Sequence, residues 1–149
     1  MDLRAFLARH RRLAADTMVF IYYLEDHPRY APLLQPLFQA WEEGRVAGVT
    51  SVLTLLEILV KPLREGRPAV ARDYRDLLTT YPNLALVPVD AEIAERAADL
   101  RARYGLRTPD ALQVATALHA GATAFLTNDA RLKAVRELEV VLLDELSPP

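Results

Sequence analysis

Five short apolar runs, near residues 11–15, 45–50, 84–89, 124–127 and 140–143, are separated by longer stretches with helical periodicity. Strands that alternate with helices are not joined by tight hairpins. Each connection crosses a face of the sheet, so the strands run parallel and helices cover both faces. The alternation is clearest in the second half. There LALVPV reads as a strand, and 91–104 as a helix with Ile93, Ala97 and Leu100 on one side. Thr108-Pro109 reads as a cap followed by proline at the first helical position, and Gly121 as the end of that helix. In the first half Asp16-Thr17 opens an apolar helix to residue 24. Residues 30–43 carry Leu33, Leu34, Leu37, Phe38 and Trp41 at helical spacing. Ser51 starts a helix expected to stop at Lys61, before Pro62, and 68–80 is amphipathic. A brief helix is expected over 129–136. Ligands of such sheets bind beyond the carboxyl ends of the strands.

At 149 residues the chain is expected to form one domain, with residues 1–10 as a short amphipathic helical extension that turns Leu3, Phe6 and Leu7 to one side. There is no cysteine, which excludes disulfides, thiolate metal sites and a cysteine nucleophile. No run approaches the roughly 18 apolar residues of a membrane span. The first residues, MDLRAFLARHRR, are too charged for the apolar core of a signal peptide, so a cytoplasmic location without membrane contact is expected. A formal charge of −2 gives no global sign of a nucleic-acid binder. A basic footprint would have to be local, at Arg4, Arg9, His10, Arg11 and Arg12 or at Arg101, Arg103 and Arg107.

Four carboxylates stand beside apolar segments where folding alone does not ask for them: Asp16, Glu57, Asp110 and Asp129. Burying a carboxylate is costly unless it is paired, hydrogen-bonded or held by a metal. Carboxylates brought together either raise one another's pKa or bind a cation. Each has a plainer reading. Asp16 and Asp129 precede helices and suit N-caps, while Asp110 suits the dipole of its helix. Asp110 also begins a polar stripe with Gln113 and Thr116, as a solvated face would. Glu57, in SVLTLLEILV, would otherwise share a narrow exposed edge with Thr54. Asp16 and Asp129 both follow strands, so the topology lets all four face one crevice. Mg²⁺ and Mn²⁺ suit such oxygen ligands and would support phosphodiester cleavage. The three histidines, His10, His27 and His119, lie outside these segments, which disfavours a metal-free ribonuclease.

At these residues the chain resembles PIN-domain nucleases, especially VapC-like ribonuclease toxins of type II toxin–antitoxin pairs. The matching pieces are Asp16-Thr17, SVLTLLE ending at Glu57, TPDALQVATA around Asp110, and Thr127-Asn128-Asp129. In this order they span about 11–143. The resemblance implies an α/β doubly wound parallel sheet of about five strands with helices on both faces. It implies that Asp16, Glu57, Asp110 and Asp129 are catalytic and hold Mg²⁺ or Mn²⁺, with Thr17, Thr127 and Asn128 orienting them. It also implies an RNA substrate, a homodimer and an antitoxin protein that masks the site. Met18 departs from the small polar residue many members carry there, and residues 1–10 are not required by the common pattern.

Two other readings stay open at this level. One is a catalytically inactive PIN-like domain that binds RNA or protein. The other is a phosphotransfer domain, weakened because Asp16-Thr17-Met18 is not a DxD motif and neither Lys61 nor Lys133 directly follows a strand.

Overall fold

A computed structural model describes residues 1–147. Five strands, β1 (Arg12–Ala15), β2 (Ala47–Ser51), β3 (Leu84–Val87), β4 (Ala124–Thr127) and β5 (Glu139–Leu142), form one sheet in the order β3-β2-β1-β4-β5. All four neighbouring pairs are parallel. Seven α-helices connect them among the described residues: α1 (Leu3–Ala8), α2 (Thr17–Leu24), α3 (Tyr30–Glu42), α4 (Val52–Arg64), α5 (Pro68–Thr80), α6 (Ala91–Tyr104) and α7 (Thr108–His119). The fold is therefore the doubly wound α/β sheet expected from the alternation.

The pleat distributes each strand between two cores. Leu13 and Ala15 of β1 and Ala124 and Leu126 of β4 join the side chains of α1 to α5 on one face. Ala14 and Phe125, the residues between them, join α6 and α7 on the other. Successive side chains of a strand point to opposite faces, so strands buried on both read as continuous apolar runs rather than alternating ones. Within the first core Phe20, Phe38 and Trp41 pack at centroid distances of 5.1–5.9 Å. Trp41 lies so close over β2 that a Cβ on Gly48 would meet its indole at 2.6 Å. A glycine is required there by the close approach of two segments.

Several boundaries differ from the sequence reading. The α4 helix continues through Pro62 to Arg64. The proline sits in the last turn, where its missing N–H costs the helix its bond to the Ile58 carbonyl, and Glu65 N and Arg67 N close the end on the carbonyls of Lys61 and Pro62. The cap of α7 is Arg107, without a side-chain bond, so Thr108 is the first helical residue and not the cap. Strand β3 ends at Val87, before Pro88. The expected helix after Asp129 is a 3-10 helix, Ala130–Ala134, and β5 begins one residue early, at Glu139. Residues Leu3, Phe6 and Leu7 of α1 are buried in the first core. Among the described residues, no helix is long and apolar enough to cross a membrane.

Candidate active site

Winding from β1 proceeds through β2 to β3, and the chain then returns to place β4 and β5 on the other side of β1. The switch point lies between β1 and β4, and a crevice opens beyond their carboxyl ends. Here Asp16, Glu57, Asp110 and Asp129 line one cavity of about 580 Å³, together with Thr17, Met18, Gln113, Asn128 and Arg107. Four segments far apart in sequence thus converge, each by a local rule. Asp16 and Asp129 are the residues at which strands hand over to helices. Glu57 is in the second turn of α4 and Asp110 in the first turn of α7.

Asp16 is both N-cap and site residue. Its carboxylate accepts from Val19 N at 3.4 Å and from the Thr127 hydroxyl. Burial pushes the carboxyl up to about 6, against the opposing pull of the Thr127 bond and the amides of Val19 and Met18. The nearby charge of Asp110 adds only the smallest share of that rise. Desolvation, and not the mutual repulsion expected from the sequence, dominates. Asp129 behaves oppositely. Arg131, two residues on, donates to it from its backbone N–H, from Nε at 3.0 Å and from Nη2 at 2.7 Å. Those bonds hold the Asp129 carboxyl below its ordinary range, with Arg107 adding to them from 4.0 Å. Arg107 Nε also donates to Asp110 at 3.0 Å. The apolar runs contain no cation of their own, yet flanking arginines neutralise two of the four carboxylates.

Glu57 is half-buried and accepts from the Thr17 hydroxyl at 2.7 Å. Thr54, which a narrow wet edge would have exposed with it, is fully buried. The stripe of Gln113 and Thr116 is likewise buried and not solvated. Asn128 donates to Tyr30 Oη at 3.1 Å, and Tyr30 donates to Asp144 at 2.6 Å. The other amide atom of Asn128, Oδ1, is buried without a hydrogen-bond partner among the described residues.

Tyr30, Thr54, Thr50 and Gln113 were not singled out as functional from the sequence. The available signal was a set of hydroxyl and amide side chains inside otherwise apolar runs, in VTSVLTLLE and DALQVATA. Among the described residues, the one set of carboxylate and imidazole ligand atoms already within 4.8 Å of one another is elsewhere: Asp90, Glu92 and His119. All three are exposed, at the other end of α7 from Asp110, and Asp90 is already bonded to Ile93 N as the cap of α6. The basic clusters are largely consumed by pairing: Arg9 and His10 contact Glu139, and Arg103 contacts Asp99 and Glu137.

Comparison with solved structures finds the same architecture. A chain of VapBC2 from Rickettsia felis, solved bound to a DNA fragment from its promoter, superposes with a TM-score of 0.67 at 16% identity, covering 88% of this chain and 98% of that one. A chain of DNA-bound VapBC from Salmonella typhimurium gives 0.67 at 15% identity, over 89% and 98%. A chain of VapBC-5, from Mycobacterium tuberculosis, gives 0.58 at 23% identity, over 89% and 98%. At these identities what is shared is the fold. No curated protein matches the sequence significantly. The PIN domain family model matches residues 13–138, from β1 to the residue before β5 and across all four carboxylates. This chain belongs to the PIN domain family.

Proposed function

We propose that the protein is a metal-dependent endoribonuclease whose Mg²⁺ or Mn²⁺ is held by Asp16, Glu57, Asp110 and Asp129. The convergence of these four carboxylates in one cavity at the switch point carries the reading. The donor set fits a hard divalent cation: carboxylate oxygens only, with no thiolate or imidazole among the lining residues. When bound, the cation lowers the pKa of a water and offsets the negative charge of the phosphate.

The chain's own residues have separate tasks. Asp16 and Asp110 would be the central ligands, and Glu57 and Asp129 would complete the set directly or through water. Thr17 and Thr127 fix the carboxylate faces of Glu57 and Asp16 by donating to them. Arg107 and Arg131 sit at the rim with exposed guanidinium groups, suited to the phosphates that flank the cut. Their present bonds to Asp110 and Asp129 keep those carboxylates paired until cation and phosphate take over both roles.

The partner reading is the toxin of a toxin–antitoxin pair, acting as a homodimer. It is supported by the likeness to chains from VapBC complexes and by an apolar stripe on α4. Leu56 and Leu63 are 60% and 58% exposed, with Val60 between them, on the helix that carries Glu57. Large apolar side chains left in water at i, i+4 and i+7 mark a protein-contact face.

The test incubates the purified protein with total cellular RNA in Mg²⁺, Mn²⁺ or chelator, maps new RNA ends by sequencing, and runs Asp16→Asn beside it. Discrete ends that need the metal and vanish in the variant establish the nuclease. RNA bound without new ends in any metal replaces it with a binding module.

A further inference from the structure

Beneath the acidic cavity a chain of three buried hydroxyls, Thr17, Thr54 and Thr50, runs from Glu57 into the core. Its ends fix the direction of its protons. The Ala15 carbonyl can only accept, so Thr50 donates to it at 3.0 Å. Thr50 then has no proton left, and in the 2.7 Å contact between the two hydroxyls Thr54 is the donor. At the other end the Glu57 carboxylate accepts from Thr17, which commits the proton of Thr17. The remaining contact, 3.2 Å between Thr17 and Thr54, is left with two oxygens and no proton.

Gln113 supplies what is missing. Its amide nitrogen lies 2.9 Å from Thr54 Oγ1 and 3.4 Å from Thr17 Oγ1, and it carries two protons. The same count sets the amide orientation, because an amide oxygen turned inward would meet hydroxyls with nothing to give. Gln113 is 5% exposed, lines the cavity, and stands three residues after Asp110 on α7. A solvated face would not need an amide here, and a purely apolar packing position would not need a donor.

We propose that Gln113 is a positioning residue for the metal site, acting on Glu57 through Thr17. By donating to Thr54 and Thr17, it leaves the Thr17 proton free to point at Glu57 Oε1. This rests on the metal-site reading above. Without the amide, Thr17 and Thr54 face each other as unscreened oxygens in a buried site. The nearest relief is for Thr17 to turn its proton to Thr54, and Glu57 then loses the bond that fixes it. Groups that orient a ligand from behind it are worth 10- to 100-fold in metal affinity.

The experiment measures Mn²⁺ affinity by electron paramagnetic resonance of the free ion, on the whole protein without RNA. It compares the parent, Gln113→Met, Glu57→Gln and the double variant. Methionine keeps length and apolar volume but has no donor. Gln113→Met is expected to weaken Mn²⁺ binding about tenfold, and to change it less than twofold once Glu57→Gln is present. Thr17→Val, which breaks the next link, should repeat the loss, and Thr17→Ser should recover it; these two carry the test if Gln113→Met does not fold. Parent-like Mn²⁺ affinity in Gln113→Met, or an equal loss with and without Glu57, overturns the inference and leaves the metal site standing. A parent that binds no Mn²⁺ overturns both.

Discussion

Thr127, the last residue of β4, donates its hydroxyl proton to Asp16, the residue that follows β1. The bond ties the two central strands together where the winding of the sheet reverses. The same oxygen accepts from Asp129 N at 3.1 Å, so one threonine registers two of the four carboxylates.

Removing that donor should move the proton equilibrium of Asp16. The Thr127 bond is the largest of the influences that pull the carboxyl down from where burial drives it. Thr127→Val is expected to raise the carboxyl above its present value of about 6. Because the ligand must lose its proton to bind a metal, the pH midpoint of Mn²⁺ uptake should rise by roughly one unit. Thr127→Ser should restore it. A titration of Mn²⁺ binding between pH 5 and 8 reads the result, and an unmoved midpoint speaks against the coupling.

The charge of Asp16 is itself a load on the fold. Its carboxyl lies at about 6 in the native state against an ordinary value of 3.8. The native state therefore holds the proton more tightly, and stability is greatest below the lower value. It is lost as pH rises through the native one and stays lost above it. Asp16→Asn keeps one acceptor for Val19 N and places an NH2 donor beside the Thr127 hydroxyl, which can accept from it, but carries no charge. In chelator at pH 7.5 the variant should be more stable than the parent, by about 1–3 kcal/mol. The advantage should shrink towards pH 4. Urea unfolding across this range decides it; equal stability at every pH would show that the buried charge is not a load.

Arg131 competes for Asp129 with any cation that would bind there. Arg131→Ala removes the guanidinium from both carboxylate oxygens and leaves only the backbone N–H of residue 131 on Oδ1. Mn²⁺ should then bind two- to fivefold more tightly, about the strength of an exposed ion pair, while RNA affinity measured in chelator falls. Effects of opposite sign are the signature to look for. If both affinities weaken together, Arg131 serves to shape the loop instead.

Gly48 tests the packing that holds β2 in place. A methyl group there would overlap the Trp41 indole and lie 2.9 Å from Leu84 Cδ1. Trp41 is fully buried and stacked against Phe20, so it has no free space to retreat into. Gly48→Ala should cost about 2–3 kcal/mol in denaturant unfolding. A loss under 0.5 kcal/mol would mean the indole moves freely.

The sheet was legible because four of the five strands are buried apolar runs, and the edge strand β3 still turns Leu84 and Leu86 toward the core. The candidate carboxylates were legible for the converse reason: each stands where packing does not want it. What could not be read was which polar residues among apolar ones face inward together. Gln113 and Thr116 have the spacing of a wet stripe, yet both are buried. Only the packing of α7 against β2 and β4 decides that. The alternative of an exposed edge shared by Thr54 and Glu57 stayed open for the same reason. Arg107 and Arg131 were expected beside the crevice from their nearness in sequence to the carboxylates. The bidentate hold of Arg131 on Asp129 was not legible, since a flanking arginine beside an aspartate reads equally as surface. The end of α4 was misplaced because proline was read as a stop, whereas the helix runs beyond it, to Arg64.

The Thr127–Asp16 bond joins residues 111 positions apart. A growing polypeptide therefore makes Asp16 long before the strand that completes its surroundings. Until β4 docks beside β1, the four acidic groups are scattered along an open chain and the crevice does not exist. A fragment ending before residue 124 can form neither the β1–β4 pair nor the threonine bond that registers the centre. Complementation from two pieces should succeed only when the second supplies that strand.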